Sequence, residues 1–224
     1  MSIKCINEDP EKLKRFIEAR KKDQEEYRKK NPDSLLPLFE NELKELGFEF
    51  EISSQVNGFL PKHKKTIVPI AIRYYQLAKE KRKSNEQNYF LGLLHVRGND
   101  EVIPMLLADY YSAETENLTR WFISDCIYTI RSKKFIKEYL EIVTNTSFGT
   151  NRQMIILLLG SLKEETAIPT LINLLEDEDV RLQAIGALGN FKREEFRCHF
   201  ERFQDSKHYG WRKYSRKALA KLNK

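Results

Sequence analysis

Apolar residues recur along most of this chain at i, i+3, i+4 and i+7, the spacing that lines one face of an amphipathic helix. No alternating Val/Ile/Thr segments sit between turn dipeptides, and nine glycines and seven prolines punctuate 224 residues. The pattern predicts an all-α protein. Near the start, Pro10 to Asn31 reads as a long, charge-rich helix that ends at Asn31-Pro32-Asp33. A second helix, Ser34 to Leu46, stops at Gly47, the residue type that closes helices in the left-handed region. Residues 48–65 read as a loop, with Pro61-Lys62-His63-Lys64-Lys65 at its end.

Beyond that loop the chain repeats itself. Ile67-Val68-Pro69-Ile70-Ala71-Ile72 aligns with segments beginning at Val102, Phe135, Ala167 and Phe196, at offsets of 35, 33, 32 and 29 residues. A second apolar set follows in the same order, Leu93, Ile127, Leu159, Leu188 and Leu219, at offsets of 34, 32, 29 and 31. Each unit is therefore expected to be a pair of helices, and two-helix units bury their apolar faces only by stacking on one another. Pro69, Pro104 and Pro169 are expected in the first turn of the first helix, where a missing N–H is harmless. The final stretch, Trp211 to Leu222, has one apolar stripe and otherwise basic residues, as a terminal helix should.

Arg120, Arg152, Arg181 and Arg212 each stand seven residues before the second-set apolar position, and the loop ahead of Arg181 reads Glu176-Asp177-Glu178-Asp179-Val180. Acids at a helix start and an arginine one step inside predict a charged ladder along the stack. Ala167-Ile168-Pro169-Thr170-Leu171-Ile172-Asn173-Leu174-Leu175 through Arg181, followed by Ala184-Ile185-Gly186-Ala187-Leu188-Gly189, resembles a HEAT repeat of the short, phycobilisome-lyase-like kind, most clearly over residues 150–192. The resemblance implies a right-handed α-α superhelix, a solenoid of about five helical hairpins, with the second helices lining a concave face that binds other macromolecules. The expected organisation is a helical appendage over residues 1–60 and the solenoid over 61–224.

Composition narrows the class. With 41% hydrophobic and 32% charged residues the chain is too apolar for disorder and too charged for a membrane protein, and Met1-Ser2-Ile3-Lys4-Cys5 opens no signal-peptide core. A cytoplasmic location is the expectation. Cys5, Cys126 and Cys198 fit neither a disulfide framework nor a zinc site, and mostly buried reduced thiols are expected. The net charge of +6 is unevenly spread, with 8 basic against 14 acidic groups over residues 94–179 and 11 against 4 over residues 192–224. A nucleic-acid binder is expected to carry a continuous basic stripe instead.

Aligning the repeats projects equivalent positions onto the exposed side of the second helices. One row holds Gln87, Trp121, Gln153, Leu182 and Lys213; the next holds Asn88, Phe122, Met154, Gln183 and Tyr214. One turn on come Leu91, Asp125, Leu157, Gly186 and Lys217, then His95, Thr129, Ser161, Asn190 and Lys221. Of these, Trp121, Phe122, Asp125, Gln153, Gln183, Asn190, Lys213, Tyr214 and Lys217 are the candidate partner-binding residues, with the tryptophan as an aromatic anchor.

These positions favour a non-catalytic scaffold whose partner is another protein, with no membrane and no cofactor. A nucleic-acid binder is the alternative. The alkylpurine DNA glycosylases, also HEAT-like, pair a tryptophan with an aspartate four residues on, as Trp121 and Asp125 are spaced here. The second inner tryptophan of that pattern is missing, since Trp211 lies in the terminal unit, and Arg152 occupies the ladder position. Deoxyhypusine hydroxylase needs paired His-Glu dipeptides, which this chain lacks, and no cysteine or histidine arrangement suggests the pigment chemistry of bilin lyases. An immunity-type inhibitor of a toxin fits the same size and architecture. His63, His95, His199 and His208 are isolated and read as structural, and Tyr74-Tyr75 and Tyr110-Tyr111 each read as one core and one interfacial ring rather than a base-stacking platform.

Overall fold

The computed structural model describes residues 9–222, and the described chain is helical with no strand. Cys5 and the opening pentapeptide lie outside the described residues. Two compact units divide the chain, Met1–Val96 and Arg97–Lys224.

In the first unit, α1 spans Pro10–Lys30, α2 Leu36–Glu45, α3 Leu60–Glu80 and α4 Ser84–Gly92. The start of α1 follows from Asp9, whose Oδ1 accepts the Glu11 and Lys12 amides at 3.1 and 3.3 Å, with Pro10 in the first turn. The end of α2 is a Schellman turn: Gly47 at φ +88° lets the Phe48 amide reach the Leu43 carbonyl (3.1 Å) and its own amide reach that of Lys44 (2.9 Å). Helix α3 corrects the loop expected at 61–65. It begins at Leu60 with Pro61 in its first turn, kinks at His63, and carries Pro69 in its interior. Pro69 is exposed, so the carbonyl that loses a partner there is met by water.

No residue of α1 is fully buried, yet the helix is folded back by polar ties from its C-terminal half. Buried Glu40 accepts from Gln24 Nε2 (2.6 Å), Ser53 Oγ (2.5 Å) and Arg28. Buried Glu86 accepts from the Leu35 amide (2.9 Å) and the Tyr27 hydroxyl (3.2 Å). Burial and the Glu86 charge push the Tyr27 hydroxyl up to about 12. Phe39, Tyr74 and Phe90 meet edge-on or tilted with centroids 5.1–5.4 Å apart and form the centre of this unit's core.

The second unit is an array of four hairpins. Their first helices are α5 (Ile103–Tyr111), α7 (Ile136–Thr144), α9 (Ile168–Asn173) and α11 (Arg197–Glu201); their second are α6 (Asn117–Ile130), α8 (Gln153–Leu162), α10 (Arg181–Leu188) and α12 (Tyr209–Leu222). Each first helix packs on its own second helix, and the second helices lie side by side in the order α6, α8, α10, α12. Pro104 and Pro169 sit in first turns as the sequence predicts. Tyr110, Ile127, Tyr139, Ile155, Leu159, Ile185 and Leu188 are fully buried between the layers, each large aliphatic side chain contributing roughly 1.5–3 kcal/mol.

Candidate interaction face

The four ladder arginines stand at the entrance of the second helices; three turn back to the end of the first, and Arg212 to the loop that follows it. Arg120 Nε and Nη2 donate to the Tyr110 and Ser112 carbonyls, both at 2.9 Å. Arg181 donates to the Leu175 and Glu176 carbonyls at 2.6 and 3.1 Å, and Arg212 to the Ser206 carbonyl at 2.5 Å. Arg152 is completely buried, donating to the Gly149 (2.8 Å) and Val143 (3.2 Å) carbonyls and to Asp177 Oδ2 of the next hairpin at 2.7 Å. The expected charged ladder is thus mainly a cap on helix C-termini, whose last carbonyls have no partner within the helix. Arg152–Asp177 is the rung in which an arginine also crosses to the next hairpin's acid.

Small residues set the spacing of the second-helix layer. A Cβ built on Gly160 of α8 falls 2.3 Å from the Ala187 Cα on α10, and one on Gly189 falls 3.0 Å from the Ala218 Cβ on α12. Neither approach was apparent from the repeat alignment, because the contact lies between hairpins.

With cores and caps accounted for, the projected rows can be located. Trp121 is 37% exposed and meets the half-buried Phe122 edge-on at 5.4 Å. Asp125 is half-buried one turn on. Gln153 is tied down, its Nε2 donating to the Asp179 carbonyl at 2.9 Å across the α8/α10 junction. Gln183 is half-buried, and its Oε1 is screened from solvent without a hydrogen-bond donor. At the far end Lys213 is exposed over the Tyr209 ring (5.5 Å), Lys217 is exposed, and Tyr214 is 40% exposed with its ring against Gly186. Asn190 accepts from Lys221 Nζ at 3.3 Å. The structure therefore gathers Trp121 with Phe122, and Tyr214, Lys217 and Asn190 around one small cavity.

Residues 136–220 match a family model described as HEAT repeats. This stretch is a HEAT-repeat array. The match covers the last three hairpins, α7 to α12, and no curated protein matches the chain.

Several side chains depart from the expected placement. Leu91 is fully buried with Phe90, Leu93 and Leu94, so the end of α4 offers no exposed row at that position. Tyr74 and Tyr75 are both buried, so that pair has no interfacial ring, whereas Tyr111 is exposed beside buried Tyr110. Cys126 is buried and its thiol pushed well up by desolvation, while Cys198 is exposed. Trp211 of the HEAT array is covered by the His208 ring (4.4 Å) on one contact and by the Arg181 guanidinium (4.2 Å) on another. Among the described residues no group of three or more His, Cys, Asp or Glu is placed to hold a metal ion, and no helix is long and apolar enough to cross a membrane.

Proposed function

We propose that the chain is a non-catalytic interaction module and that the solvent side of α6, α8, α10 and α12 docks a protein partner. The observation that carries this reading is the exposed tryptophan on that side, Trp121, set edge-on against Phe122. Aromatic anchors at the centre of a docking surface carry a disproportionate share of binding energy. The HEAT repeats support it at a coarser level, since proteins of this kind serve as interaction scaffolds. The residues that resemble catalytic positions support it too. Arg152 is sealed among carbonyls, and Trp211 is covered by His208 and Arg181, so neither joins Trp121 and Asp125 in one site.

A photo-crosslinking amino acid placed at Phe122 in the full chain, in the native cell, is expected to capture one recurring protein. The same group at Glu141, exposed on first helix α7, is expected not to. Trp121→Ala should weaken the captured complex by about 2 kcal/mol or more. Equal capture from both positions, or affinity indifferent to Trp121, refutes the proposal.

A further inference from the structure

Every arginine of the last two hairpins except Arg212 has a carboxylate partner. Arg193 pairs with Glu165 and Glu195, Arg197 with Glu194, Arg202 with Glu176 and Arg216 with Asp205. Among the described residues of these hairpins, Lys192, Lys207, Lys213, Lys217 and Lys221 meet no carboxylate within ion-pair distance, and the last two border a cavity of about 140 Å³ between α8, α10 and α12. Its floor is apolar, formed by Leu157, Ile185 and Ala218, and one wall is the Tyr214 ring. The space exists because residue 186 is glycine: no side chain separates Leu157 from Tyr214 there. Lys221 Nζ uses two of its three protons on the Gly189 carbonyl (3.2 Å) and Asn190 Oδ1 (3.3 Å), leaving one for a ligand.

From this geometry we infer that the cavity receives a glutamate side chain from an acidic segment of the protein partner, its methylenes on Leu157 and the Tyr214 ring and its carboxylate between Lys217 and Lys221. The inference rests on the docking face proposed above and names the chemistry of one end of it. Burial, together with the charges of Lys217 and Lys192, pulls the Lys221 ammonium below its ordinary range, and an arriving carboxylate relieves that repulsion. A volume near 140 Å³ is on the order of a few waters, the scale of one side chain. The apolar floor suits a glutamate's stem better than a phosphate, which is polar on every side. The rest of the face also disfavours nucleic acid. Asp125 on α6 and Asp177, Glu178 and Asp179 ahead of α10 interrupt any basic track, whereas polyanion affinity grows with the number of phosphates neutralised in succession.

The test uses the full chain and a short fluorescein-labelled glutamate-alanine peptide, read by anisotropy at physiological salt, with the lysine-alanine version and labelled single- and double-stranded DNA as comparators. The glutamate peptide should bind saturably and the lysine peptide should not. Lys217→Glu with Lys192→Glu, both at exposed positions, should weaken it about tenfold. Lys137→Glu with Lys207→Glu, one on first helix α7 and one in the loop before α12, changes net charge equally but spares the cavity and should weaken it less than about twofold. Unchanged circular dichroism shows that both variants fold. Absence of peptide binding, equal loss in both double variants, or tighter binding of either DNA overturns the inference. If the crosslinker at Phe122 still captures its protein in any of those cases, only the pocket is refuted and the docking face stands; if capture fails as well, both are refuted.

Discussion

Replacing Arg152 with alanine is the sharpest test of how this array is held together. The guanidinium is fully buried and satisfies three acceptors: the Gly149 and Val143 carbonyls and Asp177 Oδ2. Removing one partner of a buried ion pair costs about 3–5 kcal/mol when the other is left without solvent. The Asp177 side chain keeps 24% of its exposure and rehydrates, which places the ionic part at the low end of that range. Orphaning the Val143 carbonyl at the buried end of α7 adds about 1 kcal/mol or more, although the two losses are not additive. The expected destabilisation is about 3–4 kcal/mol. Arg120→Ala is the control, because Arg120 holds the same position but is half-exposed and donates to the Tyr110 and Ser112 carbonyls without an acid from the next hairpin; it should cost about 1–2 kcal/mol. Urea unfolding followed by far-ultraviolet circular dichroism measures both. Equal losses, or less than about 1 kcal/mol for Arg152→Ala, would refute the reasoning that burial and the cross-hairpin rung set this arginine apart.

The helix glycines should rank by what a methyl would meet. Gly160→Ala, forced against the Ala187 backbone, should cost more than about 2 kcal/mol; Gly189→Ala should cost less; and Gly186→Ala, which meets only the movable Tyr214 ring at 3.4 Å, should be neutral or stabilise by up to about 1 kcal/mol in the same unfolding experiment. Lys163, left-handed at φ +52° beyond α8, should accept glycine with a gain of about 0.5–1 kcal/mol. Timed alkylation at pH 8 with peptide mapping should label Cys198 promptly and leave Cys126 protected. Desolvation raises the Cys126 thiol, so the thiolate fraction at any given pH falls and its labelling lags throughout the alkaline range. Glu40→Ala should speed hydrogen exchange selectively over Gln24–Lys30, since that carboxylate holds Gln24 and Arg28; unchanged exchange there would show that α1 is held by other contacts.

What could be read from the chain divides along a physical line. Periodicity within a helix and the spacing between hairpins are local or repeated, and the match over 136–220 falls where those signals are strongest. Gly47 marked the end of α2 because a glycine at that position has one common use. Arg131 and Lys163 end α6 and α8 in the same left-handed conformation without glycine, and nothing in their type announces it. The ladder arginines were recognisable by position, but their principal acceptors are backbone carbonyls, which no residue type advertises. The misreading of 61–65 arose from a basic, proline-led run that looks like a loop until Pro61 is taken as a first-turn residue. Leu91 failed because projection by alignment carries one helix's exposure onto another, and exposure depends on what packs nearby.

The junctions between second helices are joined by different chemistry at equivalent places, and this bears on how the proposed face behaves. Between α6 and α8 the polar connection has no ion pair: Asn151 Nδ2 donates to Asn117 Oδ1 at 3.3 Å, and Arg131 reaches the Ser161 carbonyl at 3.0 Å. Between α8 and α10 it is the buried Arg152–Asp177 pair together with the glycine-alanine contact. Between α10 and α12 it is the Arg181 guanidinium over Trp211 and Lys221 on the Gly189 carbonyl, and α12 itself fully buries only Ser215 and Ala218. In an array stabilised by nearest neighbours, the hairpin with the least burial opens first. That hairpin carries Tyr214, Lys217 and Lys221. A ligand seated across α8, α10 and α12 therefore adds a connection to the least buried hairpin, and binding there registers as slowed opening of α12 as well as affinity.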